Sequence, residues 1–194
     1  EFIDFWVEKG CYFGWFFTYI PIGRDPNLDL MQTVEQRDRL RSWTLEIRRT
    51  RPIFVADFWN DGHLTGGCMA GGRMYLHINH RGDVEPCVFA HFAVDNIHRT
   101  SLRQALTSDF FRHIREQIPY NENVLRPCMI IDNPHVLREA VHTYGAQSTD
   151  GGGQSLLEEI APQLDEYAAK WGEVADRAWA EGYEWAKPGG LLCA

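Results

Sequence analysis

The chain has 194 residues, 44% of them hydrophobic, and a formal net charge of -8, enough apolar material for one or two folded domains. No run approaches the ~20 apolar residues of a membrane span, and an acidic chain lacks the clustered Lys and Arg of a nucleic-acid footprint. Five cysteines are too sparse and irregular for the disulfide framework of a small secreted domain, so free thiols in a reducing cytoplasm or metal ligands are expected.

The opening Glu1-Phe2-Ile3-Asp4 has neither an initiator Met nor a basic secretory segment, as expected of a piece of a longer protein. Residues 2–9 read as the end of a helix, with Gly10 free to take the left-handed conformation that stops it. Residues 11–20, almost all aromatic or β-branched, predict a strand buried on both faces and ended by Pro21. After a loop, Thr33 and Gln36 form a capping box for a helix whose buried stripe is Leu40, Trp43 and Ile47. Arg37, Arg39, Arg41, Arg48, Arg49 and Arg51 read as its solvated surface. Residues 52–59 predict a second buried strand, and strand, helix, strand at this spacing is a βαβ unit of a parallel sheet. Tyr19, Arg24, Asp57 and Asn60 fall at or just past the strand ends, where α/β folds bind ligands, and are candidate cofactor or substrate contacts. Asp57, inside Val-Ala-Asp-Phe-Trp, needs a partner when buried. Trp6, Trp15, Trp43 and Trp59 read as core.

Gly62, Gly66, Gly67, Gly71 and Gly72 make a connector whose backbone bends sharply or approaches something closely. Met74, Leu76 and Ile78 then alternate with Tyr75, His77 and Asn79, a half-buried strand by period two with the apolar set inside. His80-Arg81-Gly82-Asp83 is the turn and Val84 to Phe89 the returning strand of a hairpin. Ser101 and Gln104 form a second capping box for a helix broken near Thr107-Ser108 and stopped by Pro119. An irregular stretch delivers Cys128, a short helix covers 135–144, and 145–154 is a Gly-rich linker. Ser155 and Glu158 open a helical tail with Leu164, Tyr167, Ala168, Trp171, Val174 and Ala178 at 3.6 spacing. The acidity sits there: residues 131–194 hold 11 acids against 4 bases, whereas residues 1–130 hold 16 against 15.

The informative pattern is Cys68, thirteen residues, Gly82, four residues, Cys87, and then Cys128. A hairpin folds the first two sulfurs back toward each other, and strands ~4.8 Å apart let thiolates on one face share a metal centre. Spacing alone leaves two centres open, an iron-sulfur cluster or a structural zinc with a mixed Cys and His shell that includes His91. Cys11 and Cys193 announce no role.

Gly67-Cys68-Met69-Ala70-Gly71-Gly72-Arg73, Gly82-Asp83-Val84-Glu85-Pro86-Cys87, Asn96-Ile97, Ser101-Leu102, Phe110-Phe111 and Arg126-Pro127-Cys128 together resemble the SPASM or twitch extension of radical S-adenosylmethionine (SAM) enzymes. The resemblance implies an α/β fold: the C-terminal portion of a partial (β/α)6 barrel over 1–66, a twitch-like hairpin-plus-helix domain over 67–134 and a helical tail over 135–194. It implies an auxiliary [4Fe-4S] cluster on Cys68, Cys87 and Cys128, with the fourth ligand open among His91, Asp132, Cys11 or a substrate atom. A full SPASM domain has seven cysteines, so the one-cluster form is expected. SAM, a second [4Fe-4S] cluster and the Cys-x3-Cys-x2-Cys motif that binds it are expected outside this chain, leaving the fragment alone inactive. Implied partners are an electron donor such as ferredoxin or flavodoxin and a peptide, lipid or small-molecule substrate. The auxiliary cluster is expected to pass an electron or bind substrate at an open iron. The competing expectation is a non-catalytic module with a structural zinc and an acidic tail that docks a partner protein.

Overall fold

The computed structural model describes residues 1–183, so Cys193 lies outside the described residues. Helix α1 (Phe2–Glu8) is followed by Gly10, whose φ of +74° is the left-handed form open to a residue without a Cβ. Strand β1 (Phe13–Phe16), helix α2 (Val34–Thr50) and strand β2 (Phe54–Asp57) make the expected βαβ unit. The two strands run parallel, Phe13 opposite Phe54 and Phe16 opposite Asp57. The capping box at α2 is present: Thr33 Oγ1 accepts from Gln36 N at 3.3 Å and Gln36 Oε1 from Thr33 N at 2.9 Å.

The strands are shorter than their aromatic runs, and burial on both faces does not hold. Val55 packs with Ile3, Ile47 and Ile53 under the two helices. On the opposite face Phe13, Trp15 and Phe54 are 50%, 45% and 55% exposed. A parallel sheet buries both faces only when layers cover both, and among the described residues helices cover one.

Helix α2 also faces differently from its expected stripe. Its buried residues are Val34, Arg37, Thr44 and Ile47, whereas Trp43 is exposed. Arg37, expected in solvent, is fully buried. Its Nη1 meets Asp132 Oδ1 at 2.5 Å and its Nη2 meets Oδ2 at 3.1 Å. Its Nε donates to Asn60 Oδ1 and its Nη2 to the Trp59 carbonyl, both at 3.1 Å. The guanidinium also lies 4.1 Å from the Trp171 ring, a cation-π contact worth roughly 2 kcal/mol when desolvated. Burial acts to strip its proton, but the Asp132 carboxylate more than offsets this and holds the guanidinium above its ordinary pKa.

A single turn, α3 (Gly62–Thr65), leads into the glycine connector. Strand β3 (His77–Ile78) pairs antiparallel with β4 (Asp83–Glu85) through a turn at Gly82, where φ is +84°. Strands β5 (Phe92–Ala93) and β6 (Asp95–Asn96) follow, β6 pairing with β4. The apolar expectation for the hairpin holds for Leu76, which is half-buried against the core, and not for its two neighbours on that face. Met74 and Ile78 are exposed, while Tyr75 and His77 turn toward Cys87 and Glu85. Polar partners already buried on the neighbouring strand decide the register.

Helices α4 (Leu102–Leu106) and α5 (Asp109–Glu116) break at Thr107-Ser108, as the sequence predicts, each with its own serine cap. Helix α6 (Pro134–Tyr144) matches 135–144. The segment 145–154 is not a free linker. Strand β7 (Gln147–Ser148) pairs with β5, and Gly152 and Gly153 are buried. A wide helical turn over Ser155–Glu159 then leads to α7 (Ala161–Gly182), which packs against α2 and α6. Its apolar face is used inside the chain: Trp171 is fully buried and donates to the Leu125 carbonyl at 3.1 Å. One apolar core runs from Ile20 to Leu164. No helix among the described residues is long and apolar enough to cross a membrane.

Removing one partner of a buried ion pair costs ~3–5 kcal/mol, whereas replacing both with apolar side chains is close to neutral. Asp132→Ala is therefore expected to lower stability in urea denaturation by that amount, and Arg37→Met with Asp132→Leu to recover most of the loss.

Candidate metal centre

Three loops bring Cys68, Cys87 and Cys128 to one cavity. Cys68 enters from the connector, where Gly66 and Gly67 have φ of +65° and +104°. The Arg73 guanidinium closes that loop by donating to the Cys68 carbonyl at 2.9 Å and the Thr65 carbonyl at 2.6 Å. Gly71 N donates to the Pro86 carbonyl at 2.7 Å, tying the Cys68 loop to the strand that carries Cys87. Cys128 is held from below. Its amide donates to Asp132 Oδ2 at 3.0 Å, and its carbonyl accepts from Asn133 N at 2.9 Å. The carboxylate that neutralises Arg37 thus also fixes the Cys128 loop.

Two of the sulfurs receive an amide two residues further on: Phe89 N donates to Cys87 Sγ at 3.5 Å and Ile130 N to Cys128 Sγ at 3.3 Å. Tyr75 Oη adds a contact to Cys87 Sγ at 2.9 Å. The Tyr120 hydroxyl is buried without a partner at full hydrogen-bond geometry, beside Cys68 and Cys128. Donors converging on these sulfurs suit thiolates, the forms that bind metal.

The metal-free thiols are held neutral. Burial, and then the neighbouring Cys87, push the Cys68 thiol up to about 12. Burial also raises Cys87 against the opposing hydrogen bond from Tyr75, and raises Cys128, with Asp132 adding to the shift. Neutral thiols leave these donors poorly used, and metal coordination removes the mismatch by deprotonating the thiols outright.

A mononuclear centre fits less well. Around tetrahedral zinc, ligands at ~2.3 Å converge on one point. No three His, Cys, Asp or Glu side chains among the described residues are close enough to hold a single ion. His91, expected in a mixed shell, has Nδ1 on Asp150 at 2.5 Å and Nε2 on the Val88 carbonyl at 2.9 Å. Asp132, the other expected fourth ligand, is taken by Arg37 and the Cys128 amide. Cys11 is exposed and outside the cavity wall. The available donor set is all-sulfur and spread around a space, which fits an iron-sulfur cluster.

That space is a cavity of about 400 Å³. Besides the thiols it is lined by Phe13, Trp15, Phe54 and Phe58, the strand face that helices leave bare. None of Tyr19, Arg24, Asp57 and Asn60 lines it. Period two explains this for Asp57, which points away from the face of Ala56 and Phe58. Its carboxylate instead accepts from Asn60 Nδ2 at 2.7 Å, and burial, against these hydrogen bonds, raises its pKa. Tyr19 accepts from Asn27 N at 3.1 Å, and Arg24 is exposed. The cavity aromatics were readable as core only; their alternation with Gly14, Val55 and Asp57 was the available signal.

The site therefore brings three buried thiols to one cavity, a donor set that suits an iron-sulfur cluster. Residues 68–129 match the SPASM family, an iron-sulfur cluster-binding domain, and the matched interval contains all three thiols. No curated protein and no solved structure matches the chain.

A thiol at about 12 is roughly 10⁻⁴ thiolate at pH 8, and the thiolate is the nucleophile. With iodoacetamide on the metal-free chain at that pH, peptide mapping should find Cys11 alkylated more than ~100-fold faster than Cys68. The Cys68 rate should still rise between pH 8 and pH 10; comparable rates at both sites would contradict this environment.

Proposed function

We propose that this chain is the C-terminal part of a radical SAM enzyme. In this reading β1, α2 and β2 belong to its partial (β/α)6 barrel, and Cys68, Cys87 and Cys128 hold one auxiliary [4Fe-4S] cluster next to the substrate. The observation that carries it is the shared cavity, lined both by the three thiols and by the bare aromatic face of a parallel βαβ unit. The SPASM match of residues 68–129 supports the same reading.

When bound, the cluster supplies one-electron chemistry and, with only three thiols, an iron open to a substrate atom. The protein's own residues do the rest. The amides of Phe89 and Ile130 support the thiolate charge. Phe13, Trp15, Phe54 and Phe58 exclude water and present flat apolar surfaces to whatever enters. Asp61, also on the cavity wall, is occupied by Arg48 at 2.5 Å and the Asp57 amide at 2.7 Å. An electron donor and a substrate are partners in this reading, with the SAM-binding cluster supplied by sequence outside the chain.

The test is anaerobic reconstitution with ferrous iron and sulfide. The expected product is brown, with sulfur-to-iron charge-transfer absorbance that Cys68→Ala, Cys87→Ala and Cys128→Ala each abolish and Cys11→Ala leaves intact. A colourless chain that binds only zinc would refute the proposal.

A further inference from the structure

Two tyrosines reach the thiols from outside the cluster-binding pattern. Tyr75 comes from the segment leading into β3 and sets its hydroxyl 2.9 Å from Cys87 Sγ. Tyr120 comes from the stretch after α5, and its hydroxyl is buried with no hydrogen-bond partner among the described residues, electrostatically coupled to Cys68 and Cys128. No side chain other than the cysteine thiols takes either proton among the described residues. A buried phenol without an acceptor costs about 1–3 kcal/mol. A thiol is a weak acceptor and a thiolate a strong one, so both hydroxyls gain a full partner when the sulfurs ligate iron.

The consequence is electrostatic. Accepting an electron makes the centre more negative, and donors aimed at its sulfurs stabilise that form preferentially; hydrogen bonds to sulfur are among the features that set cluster potentials. The backbone amides of Phe89 and Ile130 act in the same direction, but they are fixed by the fold. The tyrosines are the side-chain part of the set, the part a single oxygen atom can remove.

Building on the cluster assignment above, we propose that Tyr75 and Tyr120 tune the auxiliary cluster, Tyr75 donating to Cys87 Sγ and Tyr120 to Cys68 Sγ, so that its reduced state is reached more easily. Neither residue touches the reacting atoms of a substrate in this role; both act through the ligating sulfurs. Tyr75 also borders the cavity, so its hydroxyl shields Cys87 from incoming solvent.

The experiment uses the 194-residue chain, reconstituted with ferrous iron and sulfide. Wild type, Tyr75→Phe, Tyr120→Phe and the double variant are compared with Tyr12→Phe, a control at a ring 87% exposed. Iron and sulfide content is measured in every sample, then the midpoint by spectroelectrochemistry and the iron-sulfur stretches by resonance Raman. At the wild-type midpoint, the reduced-to-oxidised ratio of Tyr75→Phe should fall about tenfold, a shift of about 59 mV to more negative potential for one electron. Tyr120→Phe should shift the same way, the double variant further, and Tyr12→Phe not at all. The stretches of the iron-to-cysteine bonds should rise in frequency as their sulfurs lose a donor. Full clusters with unchanged midpoints and stretches would overturn the tuning role while leaving the cluster assignment standing, and so would Tyr→Phe variants that no longer hold a cluster. A wild-type chain that takes up no cluster would overturn the assignment, and the tuning role with it.

Discussion

A guanidinium with no contact with water needs a counter-charge, and Arg37 finds it 95 residues away in sequence, at Asp132. The constraint is one of electrostatics before it is one of packing. A buried charge is tolerable only when its partner and its remaining donors are all engaged, so α2, the β2 end at Trp59 and Asn60, and the loop after Cys128 are obliged to meet at one point. Asp132 serves both halves, neutralising Arg37 with its two oxygens and accepting the amide of Cys128 with one of them. Trp171 closes the pair from the α7 side.

From that anchor the thiol centre follows. The βαβ unit is fixed to the Cys128 loop by the ion pair, and the Cys68 loop is fixed to the Cys87 strand by Gly71 and Pro86. Glycine is required at the connector for a steric reason as well: a Cβ on Gly62 would lie 2.0 Å from the Val124 carbonyl, in the stretch that delivers Cys128. The two joined units line one cavity together, with the thiols and the bare strand face both on its wall. The apolar side chains left exposed on β1 and β2 and the unsatisfied donors around the sulfurs are thus features of one place, and a bound cluster satisfies the second of them.

The sequence revealed whatever rests on local rules. Both serine or threonine capping boxes, the break at Thr107-Ser108 and the Gly82 hairpin follow from neighbours a few residues apart, and the parallel βαβ unit from strand and helix patterns each legible on its own. The Cys68-Gly82-Cys87 spacing worked for the same reason, since a hairpin turns it into proximity. What failed was long-range. Arg37 looked like any other arginine on α2 because its partner lies on a distant loop. Met74 and Ile78 looked like the inner face until Cys87 and Glu85 had claimed it for Tyr75 and His77. The strand-end polar residues, singled out by a rule about α/β folds, are not on the wall of this cavity, which the alternating aromatics of the strand face line. The segment 145–154 read as a linker because its pairing partner, β5, lies over fifty residues earlier.

The central claim is that three thiols, reached by three separate loops, share a single iron-sulfur cluster. X-ray absorption at the iron edge of the anaerobically reconstituted chain tests it most directly. The account predicts a first shell made of sulfur, strong iron-iron scattering from a polynuclear centre, and no histidine imidazole signature. Isolated iron without iron-iron scattering, or a shell dominated by nitrogen and oxygen, would contradict it.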